Sequence, residues 1–235
     1  MKKFKPFLII MSLVIFTFSL TGCSQSIEHK KDISIKDIIN DKKEHLLYTV
    51  SNSNGESKVD WIYLTKAGKM KMIAFDDALE ISPSLISKLD ANEVKKTLDS
   101  KDVDYDETPY RDVKSYIELT TDNGKSLFTL LSTSNISKKD FQNDIGEAMN
   151  QSATDKDSFM FYTSVDTGQS QYPTKNVEYI GTFTANPSAL RGDDADDEDY
   201  KYTMIKLDNK HQKLVDLSPK DKDVTQVKFS DFNME

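Results

Sequence analysis

The chain is poor in several residues on which chemistry depends. Cysteine occurs once, at Cys23. No internal disulfide can form, so a fold must rest on its core. Histidine occurs three times, at His29, His45 and His211, in separate segments. That spacing excludes a His-Glu-x-x-His zinc helix. Glycine is scarce, with 8 in 235 residues, and none form a Gly-rich phosphate loop. Neither a Gly-x-Ser-x-Gly elbow nor a Ser-x-x-Lys pair occurs. A hydrolase would need residues dispersed in sequence and gathered in space. Arginine is limited to Arg111 and Arg191, a bias toward lysine that suggests a low-GC Gram-positive source. Acidic residues outnumber basic ones by 39 to 31, which disfavours nucleic acid as a partner.

What is present begins at the first residue. Lys2, Lys3 and Lys5 precede an apolar run from Phe7 to Leu20, broken by Ser12, Thr17 and Ser19. This is the charged n-region and apolar h-region of an export signal. The run is short for a membrane span, which takes about 20 residues. It ends in Leu20-Thr21-Gly22-Cys23. The stretch resembles the lipobox of bacterial lipoproteins, over Met1 to Cys23 only. The resemblance implies a diacylglycerol on the Cys23 sulfur and cleavage between Gly22 and Cys23. A thiolate suits acyl-glycerol attachment because it is a far better nucleophile than a hydroxyl. Two acyl chains, at about 0.8 kcal/mol per buried CH₂, hold a protein at a membrane where one chain is marginal.

Removal of residues 1–22 would leave 213 residues with a net charge of −11, because Lys2, Lys3 and Lys5 leave with them. That length suits one or two domains with a real core. The expected organisation is a signal peptide over 1–22, a lipidated polar tether over 23–32 and an extracytoplasmic region over 33–235. A body of this charge is repelled, as a whole, by anionic lipid.

The expected fold class is α+β, mainly antiparallel sheet with three or four short helices. Ser34 is positioned to cap a helix carrying Ile35, Ile38 and Ile39 on one face. Strands are expected over Leu46–Ser51, Val59–Thr65 and Met70–Phe75, with a turn at Lys66-Ala67-Gly68-Lys69. Ser82-Pro83 and Asp90 with Glu93 mark two helix starts. The run from Val113 alternates, placing Ser115, Ile117 and Leu119 on a buried face and Tyr116, Glu118 and Thr120 opposite. Asn123-Gly124 predicts a type I′ hairpin turn. Ser137 and Asp140 open a helix with Phe141, Ile145, Ala148 and Met149 on one face. Further strands are expected near 159–165, 177–184, 200–207, 213–217 and 224–229. The helix leading to LLYTVSNSNG and VDWIYL echoes the helix leading to MFYTSVDTGQ and VEYIGTF. The echo suggests two similar halves, 33–108 and 137–235, with a hairpin between.

Three constellations are candidates for binding. Asp193 to Asp199 holds six acidic residues in seven, oxygen ligands of the kind calcium takes. The EF-hand pattern fails, since Asp199 stands where glycine is needed and Ile205 where the bidentate glutamate is needed. A solvated loop is the plainer reading. Arg191-Gly192-Asp193 is the integrin tripeptide, a short motif with many chance matches. Trp61, Tyr63, Tyr162, Tyr172, Tyr179, Tyr200 and Tyr202 could line a binding face, or simply pack the sheet. The expected role is a non-catalytic lipoprotein with neither cofactor nor metal. It would be anchored outside the cytoplasmic membrane through Cys23 and bind a protein or envelope component. A protective lipoprotein and an envelope hydrolase are the alternatives.

Overall fold

A computed structural model describes residues 26–53, 56–79, 82–143, 160–165, 180–184, 201–218 and 220–231. Thirteen strands and four α-helices lie among them. The class is α+β, mostly antiparallel.

Ser34 ends the N-terminal segment and begins helix α1, Ile35–Asn40. Its hydroxyl accepts from the Asp37 amide and the Asp37 carboxylate accepts from the Ser34 amide. This capping box satisfies two donors that a helix start leaves orphaned. Ile35, Ile38 and Ile39 are buried, as their spacing predicts. Two more helices, α2 (Pro83–Ile86) and α3 (Ala91–Ser100), follow the first strands. Pro83 opens α2, and Glu93 accepts from the Asp90 amide to cap α3. The fourth, α4, spans Lys138–Asn143. Ser137 and Asp140 cap each other at its start.

The strands are β1 (Asp32–Ile33), β2 (His45–Ser53), β3 (Glu56–Lys66), β4 (Lys69–Leu79), β5 (Asp106–Glu107), β6 (Arg111–Asp112), β7 (Ser115–Thr120), β8 (Ser126–Ser132), β9 (Met160–Val165), β10 (Ile180–Thr184), β11 (Lys201–Lys206), β12 (Lys213–Leu214) and β13 (Val224–Lys228). Strand order in the large sheet is β13-β7-β8-β9-β10-β11-β2-β3-β4-β5, and β4 also pairs with β6. Only Val113 and Lys114 separate β6 from β7, and both stay bonded. The Val113 amide donates to the Gly68 carbonyl and the Lys114 amide to the Ser132 carbonyl, each at 2.9 Å. One extended run from β6 into β7 thus pairs first with β4 and then with β8. The circuit β2-β3-β4-β6/β7-β8-β9-β10-β11 returns to β2, antiparallel at every step. The sheet closes into a barrel, which removes most free edges. β13 adds to β7 in parallel, and β1 pairs with β12 in a small separate sheet.

Three apolar layers follow from this closure. Inside, Leu47, Tyr63, Met70, Met72, Tyr116, Leu131 and Ile205 come from strands all around the circuit and meet α1 in one cluster. Outside one wall, Tyr48, Ile62, Leu64, Ile73 and Met204 pack under α2 and α3. Outside the other, Ile117, Leu119 and Leu130 pack under Phe141 of α4 and Val227 of β13.

Several expectations need correction. The residues expected to form a free tether are partly built into the body. Ile27 is buried in the inner cluster within a 3-10 turn, Ile27–His29, and Asp32–Ile33 pairs with β12. Strand β7 has no solvent face: all six residues from Ser115 to Thr120 are buried. Its two faces are covered by different layers, so alternation there separates inside from outside rather than dry from wet. The turn at Asn123-Gly124 is not type I′. Only Gly124 has positive φ, +78°, and Thr121 and Lys125 close the loop through the Thr121 amide at 2.8 Å. A type I turn followed by a left-handed glycine gives this geometry. The type I′ pattern occurs instead at Ala67 and Gly68, with φ of +51° and +80°, between β3 and β4.

The two echoing segments share a local plan. In each, a helix precedes two antiparallel neighbours, β2 with β3 and β9 with β10. They also share one sheet, because β11 pairs with β2.

Candidate functional site

Three polar places stand out against this frame. The first is a cleft of about 390 Å³ where the start of β2 meets the start of α3 and the end of β11. Lys43, His45, Asp90, Lys206 and Asp208 line it, with Leu46, Leu89 and Ile205 as its apolar wall. His45 Nε2 lies 2.9 Å from Asp41 Oδ2, and both side chains are buried. Asp41 follows directly on α1 and also accepts from the Lys43 amide at 3.3 Å. Burial pushes the Asp41 carboxyl up, but the His45 and backbone hydrogen bonds outweigh it and hold the group below its ordinary range. The pair joins the end of α1 to the first residue of β2.

That geometry orients an imidazole beside a cleft. No serine, threonine, cysteine or tyrosine is among the residues lining the cleft. The start of α3 also faces it. Glu93 accepts from the Asp90 amide at 2.9 Å, and Lys206 lies 3.9 Å from Asp90. His211, the other candidate base, is exposed on the turn from Asp208 to Gln212, with its amide bonded to Asn209. No hydrogen bond joins His211 to His45 or Asp41 among the described residues. His29 is exposed in the N-terminal 3-10 turn.

The second place is inside the barrel. Glu118 of β7 shares its face with Tyr116 and stands opposite Thr129 of β8. It is 1 % exposed. Thr129 donates its hydroxyl to Glu118 Oε2, and the Ser126 hydroxyl beside the carboxyl also favours its charged form. Burial pushes the Glu118 carboxyl up to about 7, and the charge of Asp216 adds to the rise. A carboxyl in such a place is neutral at acid pH and becomes a buried charge as the pH rises past neutrality. The sequence carries only a weak signal for it: a glutamate inside an otherwise β-forming run.

The third place is around Ile27, where the described chain begins. Gln212 is buried there, and its amide nitrogen donates to the carbonyls of Ile27 at 2.8 Å and Lys30 at 3.3 Å. The Lys213 amide donates to the Lys31 carbonyl at 2.8 Å. Lys43 bridges Glu28 at 3.0 Å and Asp208 at 3.6 Å. The N-terminal segment is thereby fixed against the turn before β12. On the far side of α1, Lys36 holds Asp221 at 2.7 Å and Asp223 at 3.2 Å and lies over the Tyr116 ring. Burial lowers the Lys36 ammonium, but the two aspartates outweigh it and raise it above its ordinary value.

The remaining candidates fall unevenly. Gly22 and Cys23, the acidic run Asp193–Asp199 and the Arg191-Gly192-Asp193 motif lie outside the described residues, as do Tyr172, Tyr179 and Tyr200. The side chain of Tyr162 does too. Tyr63 belongs to the inner cluster, Trp61 packs against it and Tyr202 is half-buried, so these three do not form an open aromatic face. Among the described residues no group of three or more metal-ligating side chains converges. No helix among them is long and apolar enough to cross a membrane. Compared with known proteins, the chain matches no family model, no curated protein and no solved structure.

Proposed function

We propose that this chain is a lipid-anchored protein of the bacterial envelope. On this reading it is held on the outer side of the cytoplasmic membrane by acyl chains on Cys23, and it binds a protein or envelope component without turning it over. The observation that carries this reading is the order Lys2-Lys3-Lys5, apolar run, Leu20-Thr21-Gly22-Cys23. Each part has its own job: cytoplasmic retention of the lysines, membrane engagement of the run, and protease access at the small residues. The body adds support. Ile27, four residues after Cys23 in the sequence, is buried in the inner cluster. The binding reading draws on the cleft beside His45, which offers charges of both signs and an apolar wall.

Replacement of Cys23 by serine tests the anchor. Mass spectrometry of the wild-type chain should show a diacylglyceryl N-terminus beginning at residue 23. The Cys23→Ser chain should keep residues 1–22 and carry no fatty acid. An unmodified cysteine in a membrane-free fraction would overturn the reading. Crosslinking on intact cells, followed by identification of the captured component, tests the binding role. A wild-type chain that captures no more than the same chain with Lys206→Glu and Lys43→Glu in the cleft would count against it.

A further inference from the structure

Part of the barrel wall is supplied by the last strand described. The run from β6 into β7 lies against β8 along one edge. Its other edge meets β4 only as far as Val113, whose amide reaches the Gly68 carbonyl in the β3–β4 turn. β4 extends no further than that turn, and β13 takes the same edge from Tyr116 to Thr120. β13 is five residues long and pairs with no other described strand. Its pairing is parallel, the slightly weaker kind.

Behind β13 the interior is polar. Gln226 of β13 and Thr129 of β8 are the register partners of Glu118 on either side of β7, so the three share one face. Thr129 donates its hydroxyl to the Glu118 carboxyl. Gln226 does not serve it, and its amide nitrogen is buried with no hydrogen-bond partner among the described residues. The charge that acts on Glu118 is that of Asp216, in the segment leading to β13. Burial holds the Tyr116 phenol, on the same face, up at about 12. The lysines of this region are committed elsewhere or exposed. Lys36 holds Asp221 and Asp223, and Lys138 holds Asp231 at 3.0 Å. Lys228 is exposed at the end of β13, and Lys125 is exposed in the β7–β8 turn.

We infer that β13 is a pH-released strap, closed on β7 while Glu118 is protonated and loosened from it when Glu118 loses its proton. A carboxylate enclosed beside the charge of Asp216 is costly, and water relieves that cost. Loosening β13 admits water to Glu118 and to the Gln226 amide in one movement. It is also a small rearrangement. β13 is bound along one edge, and its remaining ties, Lys36 to the two aspartates and Lys138 to Asp231, are partly exposed ion pairs of modest strength. Val224 and Val227 are buried in the closed form, which keeps the strap down while Glu118 is neutral. The carboxyl is raised to about 7 in the closed form, against an ordinary 4.5 in water. Between those values the open form holds fewer protons than the closed one. Opening therefore grows as the pH rises and levels off above pH 7. The device works whether or not Cys23 carries lipid.

The test is amide hydrogen exchange of the purified full chain between pH 5 and pH 8, each rate divided by that of an unstructured peptide at the same pH. The opening constant of the bonded amides within 224–228 should rise about ten- to seventyfold across this range, the upper figure being full linkage for a carboxyl moving between 4.5 and about 7. At every pH these amides should open more readily than those of 61–65 in β3, which is paired on both edges. Glu118→Gln should hold the opening constant of 224–228 level from pH 5 to pH 8. Asp216→Asn, at an exposed position, should fold as wild type and move the midpoint of the rise to lower pH. An opening constant at 224–228 that ignores pH would overturn the strap. So would the same rise in Glu118→Gln, a midpoint unmoved by Asp216→Asn, or protection at 224–228 equal to that at 61–65.

Discussion

The two walls of the barrel are buried by the same device but lined differently. The wall of β2, β3 and β4 turns Leu47, Tyr63, Met70 and Met72 inward and Tyr48, Ile62, Leu64 and Ile73 outward under helices. The wall of β7 and β8 also covers both faces, with Phe141 and Val227 outside. Yet its inner face starts with Tyr116 and Leu131 and continues with Glu118 and Thr129. The first wall buries the Thr49 hydroxyl, 3.1 Å from that of Thr203, and Thr65 among its apolar groups. The second encloses the Glu118 carboxyl. In a barrel wrapped by helices, polarity along a strand does not report exposure. It reports which layer the residue meets and whether that layer can hydrogen-bond.

The largest expected effect attacks what both walls share, the α1 plug. Ile38 is fully buried in the inner cluster. Ile38→Ala removes methyl groups and leaves a cavity, and should cost about 3–4 kcal/mol in urea unfolding. A loss below about 1 kcal/mol would mean that α1 does not pack the interior.

The second prediction separates the walls. The Glu118 carboxyl is raised to about 7 in the fold, from an ordinary value of 4.5. Between those values the native state binds more protons than the unfolded chain, so its stability falls as pH rises and levels off above pH 7. The total loss is of order 3 kcal/mol, since a tenfold change in proton affinity corresponds to about 1.4 kcal/mol. Glu118→Gln should flatten this slope. The variant should match wild type near pH 4.5 and exceed it by about 2–3 kcal/mol at pH 8. An unchanged pH dependence would show that Glu118 is solvated or otherwise paired.

The smallest effect tests the β3–β4 turn against the looser β7–β8 turn. Gly68 has φ of +80°, and a Cβ there would lie 3.2 Å from Asn40 Oδ1. Gly68→Ala should cost about 1–2 kcal/mol, because an L-residue is strained in the left-handed region. Ala67 already bears that strain at φ +51°, so Ala67→Gly should gain about 0.5–1 kcal/mol. Gly124→Ala has nothing within 4 Å to meet and should cost only the conformational part. Thermal melts should rank Gly68→Ala lowest, Gly124→Ala next and Ala67→Gly highest.

Local features of the fold are legible in the sequence because local chemistry decides them. Ser34 with Asp37, and Asp90 with Glu93, specify helix starts within four residues. The spacing of Ile35, Ile38 and Ile39 names a face. Closure is not legible, because the pairings of β11 with β2 and of β4 with β6 depend on tertiary geometry rather than on any short pattern. Period two puts Glu118 opposite the expected buried face. It reveals that a strand has two faces, but not that a second layer covers the other one. Ile27 escapes a reading by pattern because it stands alone among polar residues, and one apolar side chain makes no period. The His45–Asp41 pair brackets the exit from α1, where neither helical nor strand spacing applies.

The pairing of β2 with β11, and of β1 with β12, has a consequence in time. Residues 32–33 pair at 213–214, and residues 47–51, which meet β3 on one edge, find the partner of their other edge at 201–205. A chain made from its N-terminus holds β1 and one edge of β2 unmatched until most of its length exists, and contacts so distant in sequence form slowly. Closure of the ring must therefore wait for β11, which begins at residue 201 of 235, and a nascent chain halted before it should still be degradable by protease along the open edge of β2.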